Sequence, residues 1–174
     1  ALLATKQVQC LPQSDFDLSD AVEDGLSFVE NAILKARHAC RHTGLPAIAD
    51  DSGLEIDALN GEPGIYSARY AQSGDDRESR DQANNTKVLA ALKDVPEAQR
   101  TARFQCVIVL MRYALDPVPL ICQGTWEGRI LAQPCGSNGF GYDPLFYVPD
   151  QGCASAELSS EHKNRLSHRG QALQ

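Results

Sequence analysis

The sequence predicts an α/β protein with a mixed β-sheet. Helical and strand patterns alternate along the whole chain, and no internal repeat or low-complexity segment interrupts them. Residues 103–113 are rich in Val, Ile, Leu and Phe and contain no Gly or Pro, which is typical of a fully buried strand. The length of 174 residues suits one domain, or one domain with two lobes, and a hydrophobic content of 43% is enough for a core.

The clearest element of the first half is a helix over residues 28–43. Ser27 and Glu30 have the spacing of a capping box, apolar residues recur at helical spacing, and Gly44 ends the pattern. A short strand at 8–11 is expected to precede this helix.

Two strands are predicted after the helix, at 47–51 and 54–59, separated by a Ser-Gly turn. The first ends in Asp50 and Asp51. Neighbouring side chains of a strand point to opposite faces, so the two carboxylates cannot both enter one core. One of them is expected at the strand end, where a carboxylate suits a divalent metal ion or an activated water. The alternative is an ordinary polar strand end followed by a turn.

The second half of the chain continues the alternation of helices and strands. In chain order it predicts a short helix at 65–70, a polar helix at 79–93, the buried strand at 103–113, a long strand at 119–131 with a possible bend at Gly124 or Gly128, a short strand at 145–148, a helix at 159–166 capped by Ser159 or Ser160, and the start of another helix at 167.

Composition excludes several classes of partner. The net charge of −7 argues against nucleic acid or an anionic membrane surface as the main partner. No apolar run approaches the roughly 20 residues that span a bilayer. The six cysteines are scattered without a C-x-x-C pair, which favours reduced thiols in the cytoplasm over a disulfide framework or a zinc site.

Three groups of residues are candidates for chemistry. The first is acidic, with Glu23, Asp50 and Asp51, and its hard oxygen ligands without a Cys/His cage indicate magnesium or manganese. The second is basic. It contains Lys35 and the C-terminal cluster Lys163, Arg165, His168 and Arg169, which would bind an anion such as phosphate. Solvated turns and helix faces are the alternative for both groups.

The third group is the glycine-rich segment 136–144. Its glycines would let the backbone approach a ligand, and Phe140 and Tyr142 would stack on a flat base. Asp143 would accept from a ring nitrogen or brace an arginine. The spacing fits neither a dinucleotide fingerprint nor a Walker loop. A hairpin-like loop with aromatic residues packed on the sheet is the alternative.

Several stretches in register carry a resemblance to a known family. They are Phe28-x-Glu30-Asn31-Ala32-x-x-Lys35-Ala36, Ala49-Asp50-Asp51-Ser52-Gly53-Leu54, Pro63-Gly64-x-x-Ser67-Ala68-Arg69-Tyr70, Gly139-Phe140-Gly141-Tyr142-Asp143-Pro144-x-Phe146 and Ser167-His168-Arg169-Gly170-x-Ala172. In these motifs the chain resembles the inosine/xanthosine triphosphate pyrophosphatases, in particular the bacterial dITP/XTP pyrophosphatases, over nearly its whole length.

The resemblance implies a single catalytic domain over residues 1–174, elongated and two-lobed around a mixed sheet, in a cytoplasmic homodimer. It implies Mg²⁺-dependent hydrolysis of dITP, ITP and XTP to the monophosphate and pyrophosphate, with Mn²⁺ as a possible substitute. The family begins with a strand and a T/S-x-N-x-x-K phosphate loop, which this chain does not contain. That part is expected to precede Ala1, and the last helix is expected to continue beyond Gln174.

The resemblance also implies a role for each matching residue. Asp51 would be the general base and a metal ligand, and Glu23 would be the second metal ligand. Ser52 would contact the substrate, while Lys35 and Lys163 would offset phosphate charge. The base pocket would be formed by Phe140, Gly141, Tyr142, Asp143, His168 and Arg169. In particular, a donor on Arg169 or His168 facing the 6-carbonyl of hypoxanthine or xanthine would reject adenine.

Three other functions stay open at this point. A pyrophosphatase for modified pyrimidine or methylated nucleotides is disfavoured by the Phe-Gly-Tyr-Asp and Ser-His-Arg motifs. A phosphatase that releases single phosphates would differ in its product. A nucleotide-binding protein without catalysis would release no pyrophosphate when magnesium is present.

Overall fold

The α/β class is confirmed by a computed structural model, which describes residues 9–174. The α-helices of this part of the chain are α1 (Phe28–Thr43), α2 (Arg77–Ala91), α3 (Ser160–Leu166) and α4 (His168–Ala172). The strands are β1 (Ala47–Ile56), β2 (Thr101–Met111), β3 (Leu120–Ile130), β4 (Phe146–Val148) and β5 (Cys153–Ala154). The strand expected at 8–11 begins outside the described residues, and residues 9–11 form no strand.

The five strands form one sheet in the order β1-β2-β3-β4-β5, and every neighbouring pair is antiparallel. Within residues 9–174 the sheet is therefore antiparallel, not mixed as predicted. Alternating helices and strands suggested parallel crossovers. However, β2 and β3 are joined by the short segment 112–119, and a parallel connection needs about a dozen residues or more.

Strand β1 is a single strand, so the predicted Ser-Gly turn at its centre is wrong. Strand β2 pairs with it without a break, from Ala47 opposite Met111 to Ile56 opposite Ala102. Gly53 is needed there for space, not for a turn. A Cβ atom at this position would lie 2.4 Å from the carbonyl oxygen of Gly64 and 2.5 Å from Ser67 Oγ.

The two faces of the sheet bury different cores. On one face, Ala32, Ala36 and Cys40 of α1 pack against Val107 and Val109 of β2. The opposite face carries the larger core, which includes Leu54, Phe104, Trp126, Phe146 and Leu145. Residues of β1 therefore point alternately towards α1 and towards this larger core.

The C-terminal helices also lie on the face opposite α1. Ser159 caps α3, as predicted, and Ser167 caps α4 by accepting a hydrogen bond from the Gly170 amide at 3.1 Å. Gly124 of β3 leaves room for α4, since a Cβ atom there would lie 2.0 Å from the carbonyl oxygen of His168. This close approach explains the glycine, and it brings the first turn of α4 onto the sheet.

The other predicted elements are confirmed with small shifts. Helix α1 has the predicted bounds, and Ser27 caps it by accepting from the Glu30 amide at 3.4 Å. The predicted capping box is only half formed, because the Glu30 carboxylate accepts from the Leu26 amide and the Ser27 hydroxyl and not from the Ser27 amide. The short helix at 65–70 is the 3-10 helix Gly64–Arg69. Among residues 9–174, no helix combines the length and the apolar character needed to cross a membrane.

Candidate active site

Strand β1 divides the candidate site between the two faces of the sheet. Asp51 points towards α1, whereas Asp50 and Ser52 point towards α4. The sequence predicted that the two carboxylates separate, but placed them at a strand end. They lie in the middle of β1, which has only β2 as a partner strand within the described residues.

On the α1 face, two carboxylates share one ammonium group. Lys35 Nζ lies 2.7 Å from Asp51 Oδ1 and 3.6 Å from Glu23 Oε2. Asn31, one turn before Lys35, is fully buried and directs its amide towards Asp51 Oδ2 at 3.4 Å. The Asn31 Oδ1 atom accepts a hydrogen bond from the Gly25 amide at 2.9 Å. Asn31 thus connects Asp51 to the loop that carries Glu23.

The carboxylate oxygen ligands on this face fit a magnesium ion. Among residues 9–174, no group of three or more His, Cys, Asp or Glu side chains is arranged to hold a metal. Magnesium, however, usually binds one or two carboxylates and completes its shell with water and substrate phosphates. Glu23 and Asp51 provide two such carboxylates around a position that already holds one positive charge.

On the α4 face, Arg169 is fixed to β1. Its Nε and Nη2 atoms lie 3.0 and 2.5 Å from Asp50 Oδ2, and Nη2 donates to Ser52 Oγ at 2.9 Å. Three residues that are adjacent only in the fold therefore form one polar cluster. Asp50 and Ser52 orient the guanidinium group, and the side chain of Arg169 remains 39% exposed.

A cavity of about 640 Å³ opens beside Arg169 on the same face. Its lining includes Ser52, Arg69, Arg77, Arg80, Asp81, Phe104, Phe140, Gly141, Tyr142, Asp143, Lys163, His168 and Arg169. Phe140 is half-exposed and presents an aromatic surface. Positive side chains outnumber carboxylates in this lining, so the cavity suits an anionic ligand that has a flat ring.

Asp143 braces the cavity wall. Its Oδ2 atom accepts hydrogen bonds from the Phe140 amide at 2.7 Å and from Lys163 Nζ, and its Oδ1 atom accepts from Ser155 Oγ at 3.0 Å. Of the two predicted functions of Asp143, bracing a cation is the one observed, with a lysine in place of the arginine. The ammonium group of Lys163 also lies 4.8 Å from the centre of the Phe140 ring.

Gly141 and Tyr142 are held by internal hydrogen bonds. The Gly141 amide donates to Asp81 Oδ2 at 2.8 Å, and its carbonyl oxygen accepts from Asn85 Nδ2 at 2.9 Å. The Tyr142 hydroxyl donates to the carbonyl oxygen of Ser67 at 2.8 Å, and burial raises the pKa of this phenol. Because Tyr142 is only 5% exposed, Phe140 is the aromatic ring of this segment that is open to a base.

His168 lines the cavity and is only 9% exposed. Its ring stacks on Phe104, with ring centres 4.8 Å apart and an angle of 13° between the planes. Burial, followed by the charges of Arg169 and Lys163, lowers its pKa from 6.5 to about 3, so the imidazole is neutral near pH 7. The buried Nδ1 atom has no hydrogen-bond partner among the described residues. A buried polar atom of this kind indicates a place for a ligand or a water molecule.

The geometry can now be compared with known proteins. The sequence profile of the Ham1 family matches residues 1–174. The chain belongs to the Ham1 family. It is 59% identical over 172 residues to a dITP/XTP pyrophosphatase of Vibrio parahaemolyticus, covering 99% of this chain and 84% of that protein. It is 61% identical over 172 residues to a dITP/XTP pyrophosphatase of Thioalkalivibrio sulfidiphilus, covering 99% of this chain and 86% of that protein.

The fold agrees with solved Ham1 structures. The chain superimposes on a HAM1 protein from Coxiella burnetii with a TM-score of 0.91 and 52% identity, covering 99% of this chain and 85% of that one. The expected ITPase-like fold is therefore confirmed.

The sequence indicated no role for several residues that hold the Ham1-family site together, although Asn31 lies in one of the motifs that carry the family resemblance. Asn31, Asp81 and Asn85 each fix a functional segment by side-chain hydrogen bonds. Asn31 had one available signal, because a polar residue on the apolar side of α1, four positions before Lys35, is unusual. Asp81 and Asn85 resemble ordinary exposed residues of a polar helix. Arg165 of the basic cluster is exposed and does not line the cavity.

The depressed pKa of His168 predicts an acid-sensitive fold. The unfolded chain takes up a proton near pH 6.5 that the folded chain refuses until about pH 3. This contribution to stability is complete above pH 6.5 and is lost as the pH falls from 6.5 towards 3. Between pH 7 and pH 4, urea unfolding should show a loss of roughly 2–3 kcal/mol that is absent in His168→Gln.

The matched control for this prediction is His42→Gln. His42 is an exposed histidine of α1, so its replacement should leave the wild-type pH profile unchanged. The prediction fails if His168→Gln and wild type lose equal stability over this pH range.

Proposed function

We propose that this chain is a nucleoside triphosphate pyrophosphatase that converts dITP, ITP and XTP to the monophosphate and pyrophosphate, and so cleanses the nucleotide pool. Support comes from 59% identity to relatives named dITP/XTP pyrophosphatases over nearly the whole chain. The structural observation that carries the proposal is that β1 separates two groups of functional residues. A carboxylate pair with a lysine lies on one side, and a cationic aromatic cavity lies on the other.

In the proposed reaction, Asp51 acts as the general base. It accepts a proton from a water molecule, whose oxygen bonds to the α-phosphorus. The bond from this phosphorus to the bridging oxygen breaks, and pyrophosphate leaves. Lys35 holds the Asp51 carboxylate and offsets charge on the phosphates. Asn31 limits rotation of the same carboxylate through its contact with Oδ2.

The metal belongs to the same proposal. Asp51 and Glu23 would hold Mg²⁺, or Mn²⁺ in its place, and the ion would offset charge on the phosphates and make a bound water more acidic. This ligand set has two carboxylates and no thiol or imidazole, so it favours hard cations.

The base would bind in the cavity against Phe140. His168 Nδ1 and the Arg169 guanidinium are the polar groups available to read the base, and a carbonyl at position 6 satisfies a donor where the amino group of adenine does not. Lys163 was expected to neutralise phosphate charge. Its contacts with Asp143 and Phe140 favour a role in shaping the base pocket instead. Ser52 would orient Arg169 as well as contact the substrate.

We also propose the homodimer and the cytoplasmic location that the sequence suggested. Ile48, Leu110 and Leu120 are paired neighbours on three strands and form an exposed apolar row on the face opposite α1. Such a row is suited to contact with a second copy. Light scattering that gives the mass of one chain, 18.9 kDa, would contradict the dimer. All six cysteines are free, which suits a reducing compartment and is testable by cell fractionation.

The deciding experiment measures pyrophosphate and orthophosphate released from ITP, XTP, dGTP and ATP, with Mg²⁺ and with EDTA. Magnesium-dependent pyrophosphate from ITP and XTP, with little from ATP, is expected. Orthophosphate as the first product would indicate a phosphatase. Nucleotide binding without release of either product would indicate a binding protein.

A further inference from the structure

The first residue of α2 reaches into the cavity. The guanidinium carbon of Arg77 lies 4.6 Å from the centre of the Phe140 ring, and both side chains line the cavity wall. The start of α2 is well fixed, because Asp76 and Ser79 form a capping box around it, with the Ser79 amide 2.9 Å from Asp76 Oδ1. Arg77 is therefore held beside Phe140, the exposed aromatic ring of the cavity lining.

Three arginines of the cavity lining, Arg69, Arg77 and Arg80, make no ion pair with any residue between 9 and 174. Of these three, Arg77 is the one that lies over the Phe140 ring. Lys163 is paired with Asp143, and Arg169 is paired with Asp50. Arg77 makes no ion pair with any residue between 9 and 174, and its contact is with the face of an aromatic ring. A cation in the first turn of a helix is also disfavoured by the helix dipole. Neither an ion pair nor helix stability accounts for an arginine here, so its charge is available to a ligand.

The candidate bases differ in charge. Xanthine has a second ring carbonyl, and in its nucleotides the N3 proton is far more acidic than any ring proton of hypoxanthine nucleotides. Near neutral pH the xanthine base is largely an anion, whereas hypoxanthine is neutral. An unpaired guanidinium group beside the base would therefore favour xanthine by direct charge attraction.

We propose that Arg77 is a specificity-determining residue that favours the anionic xanthine base of XTP over the neutral hypoxanthine base of ITP and dITP. The inference rests on the proposed function, because it assumes that the base stacks at Phe140. Recognition of the 6-carbonyl cannot distinguish XTP from ITP, since both bases carry that group. The charge of Arg77 would distinguish them.

Two titratable groups of the cavity lining, His168 and Tyr142, have a pKa that is shifted away from neutral pH. The charged or titratable side chains of the cavity lining, in addition to Arg77, are Arg69, Arg80, Asp81, Tyr142, Asp143, Lys163, His168 and Arg169. The pKa of His168 is lowered to about 3 and that of Tyr142 is raised, so both are neutral from mildly acidic to mildly basic pH. The xanthine base itself is thus the group whose titration changes the attraction to Arg77.

The test compares kcat/KM for XTP and ITP in wild type, Arg77→Met and Arg77→Lys. Arg77→Met should lower the XTP-to-ITP ratio by about tenfold, equivalent to about 1.4 kcal/mol, and Arg77→Lys should restore most of it. Arg165→Met is the matched control, because Arg165 is exposed and does not line the cavity, and it should leave the ratio unchanged. The wild-type ratio should also fall as the pH drops through the pKa of xanthine, and Arg77→Met should show a flatter profile.

A binding measurement separates this inference from the proposed function. Calorimetric titration with XMP and IMP needs no turnover, and Arg77→Met should lose affinity for XMP but not for IMP. If wild type turns over XTP and ITP and the Arg77→Met ratio is unchanged, the role of Arg77 is refuted while the proposed function stands. If wild type releases no pyrophosphate, the proposed function fails, and equal binding of XMP and IMP by wild type would then refute the role of Arg77 as well.

Discussion

Asp51→Asn is expected to lower pyrophosphate release from ITP and XTP by at least about a thousandfold, because it removes both a proton acceptor and a metal ligand. The change is nearly isosteric. The asparagine oxygen still accepts from Lys35 Nζ, which lies 2.7 Å from Asp51 Oδ1, so the position of Lys35 should be retained. Steady-state release of pyrophosphate at saturating Mg²⁺ measures the effect, and thermal unfolding checks that the fold is intact.

Asp57→Asn is the matched control for this experiment. Asp57 directly follows β1, is exposed and pairs with Arg103 at 2.8 Å, remote from Lys35 and from the cavity. The same chemical change at this surface site should leave turnover within about twofold of wild type. Asp51→Asn with more than a tenth of wild-type turnover would remove Asp51 from the role of general base.

The fold could be predicted well wherever the local sequence and the final environment agree. Helix α1 carries its capping serine, its apolar periodicity and its terminal glycine within one segment, and its bounds match. The centre of β1 shows the opposite case. Asp51-Ser52-Gly53 is a turn sequence by local preference, but β2 pairs with every residue of β1 and Gly53 is required for space beside Gly64. Tertiary pairing therefore overrides the local preference for a turn.

The site could be predicted only in part, for a similar reason. Lys35 and Asp51 lie in family motifs, and the structure joins them directly. The ion pair between Asp50 and Arg169 connects residues that are 119 positions apart, and nothing local indicates that they meet. Asp81 and Asn85 form hydrogen bonds with the backbone amide and carbonyl groups of Gly141. Because nearly every residue has these two groups, the sequence does not indicate that Gly141 is the partner of Asp81 and Asn85.

Arg169→Ala is expected to reduce discrimination between ITP and ATP by roughly thirtyfold. The estimate corresponds to the loss of one hydrogen bond from a charged donor to the 6-carbonyl, about 2 kcal/mol. The kcat/KM for ITP should fall, while that for ATP should change much less, because adenine offers no acceptor at that position. Ratios of kcat/KM, and not turnover of ITP alone, isolate this effect from general damage to the site.

The ion pair with Asp50 makes a second variant necessary. Removal of Arg169 leaves Asp50 and Ser52 without their shared donor, so some of the lost activity would come from movement of β1. Arg169→Lys keeps the positive charge near Asp50 but loses the planar fork of donors, so it should preserve stability better than selectivity. Arg165→Ala, an exposed change one turn earlier on α3, should alter neither. If both Arg169→Ala and Arg165→Ala show the same ITP-to-ATP ratio as wild type, a group other than Arg169 recognises the 6-carbonyl. The next candidate to test is then His168 Nδ1, the buried atom of the cavity lining that has no hydrogen-bond partner among the described residues.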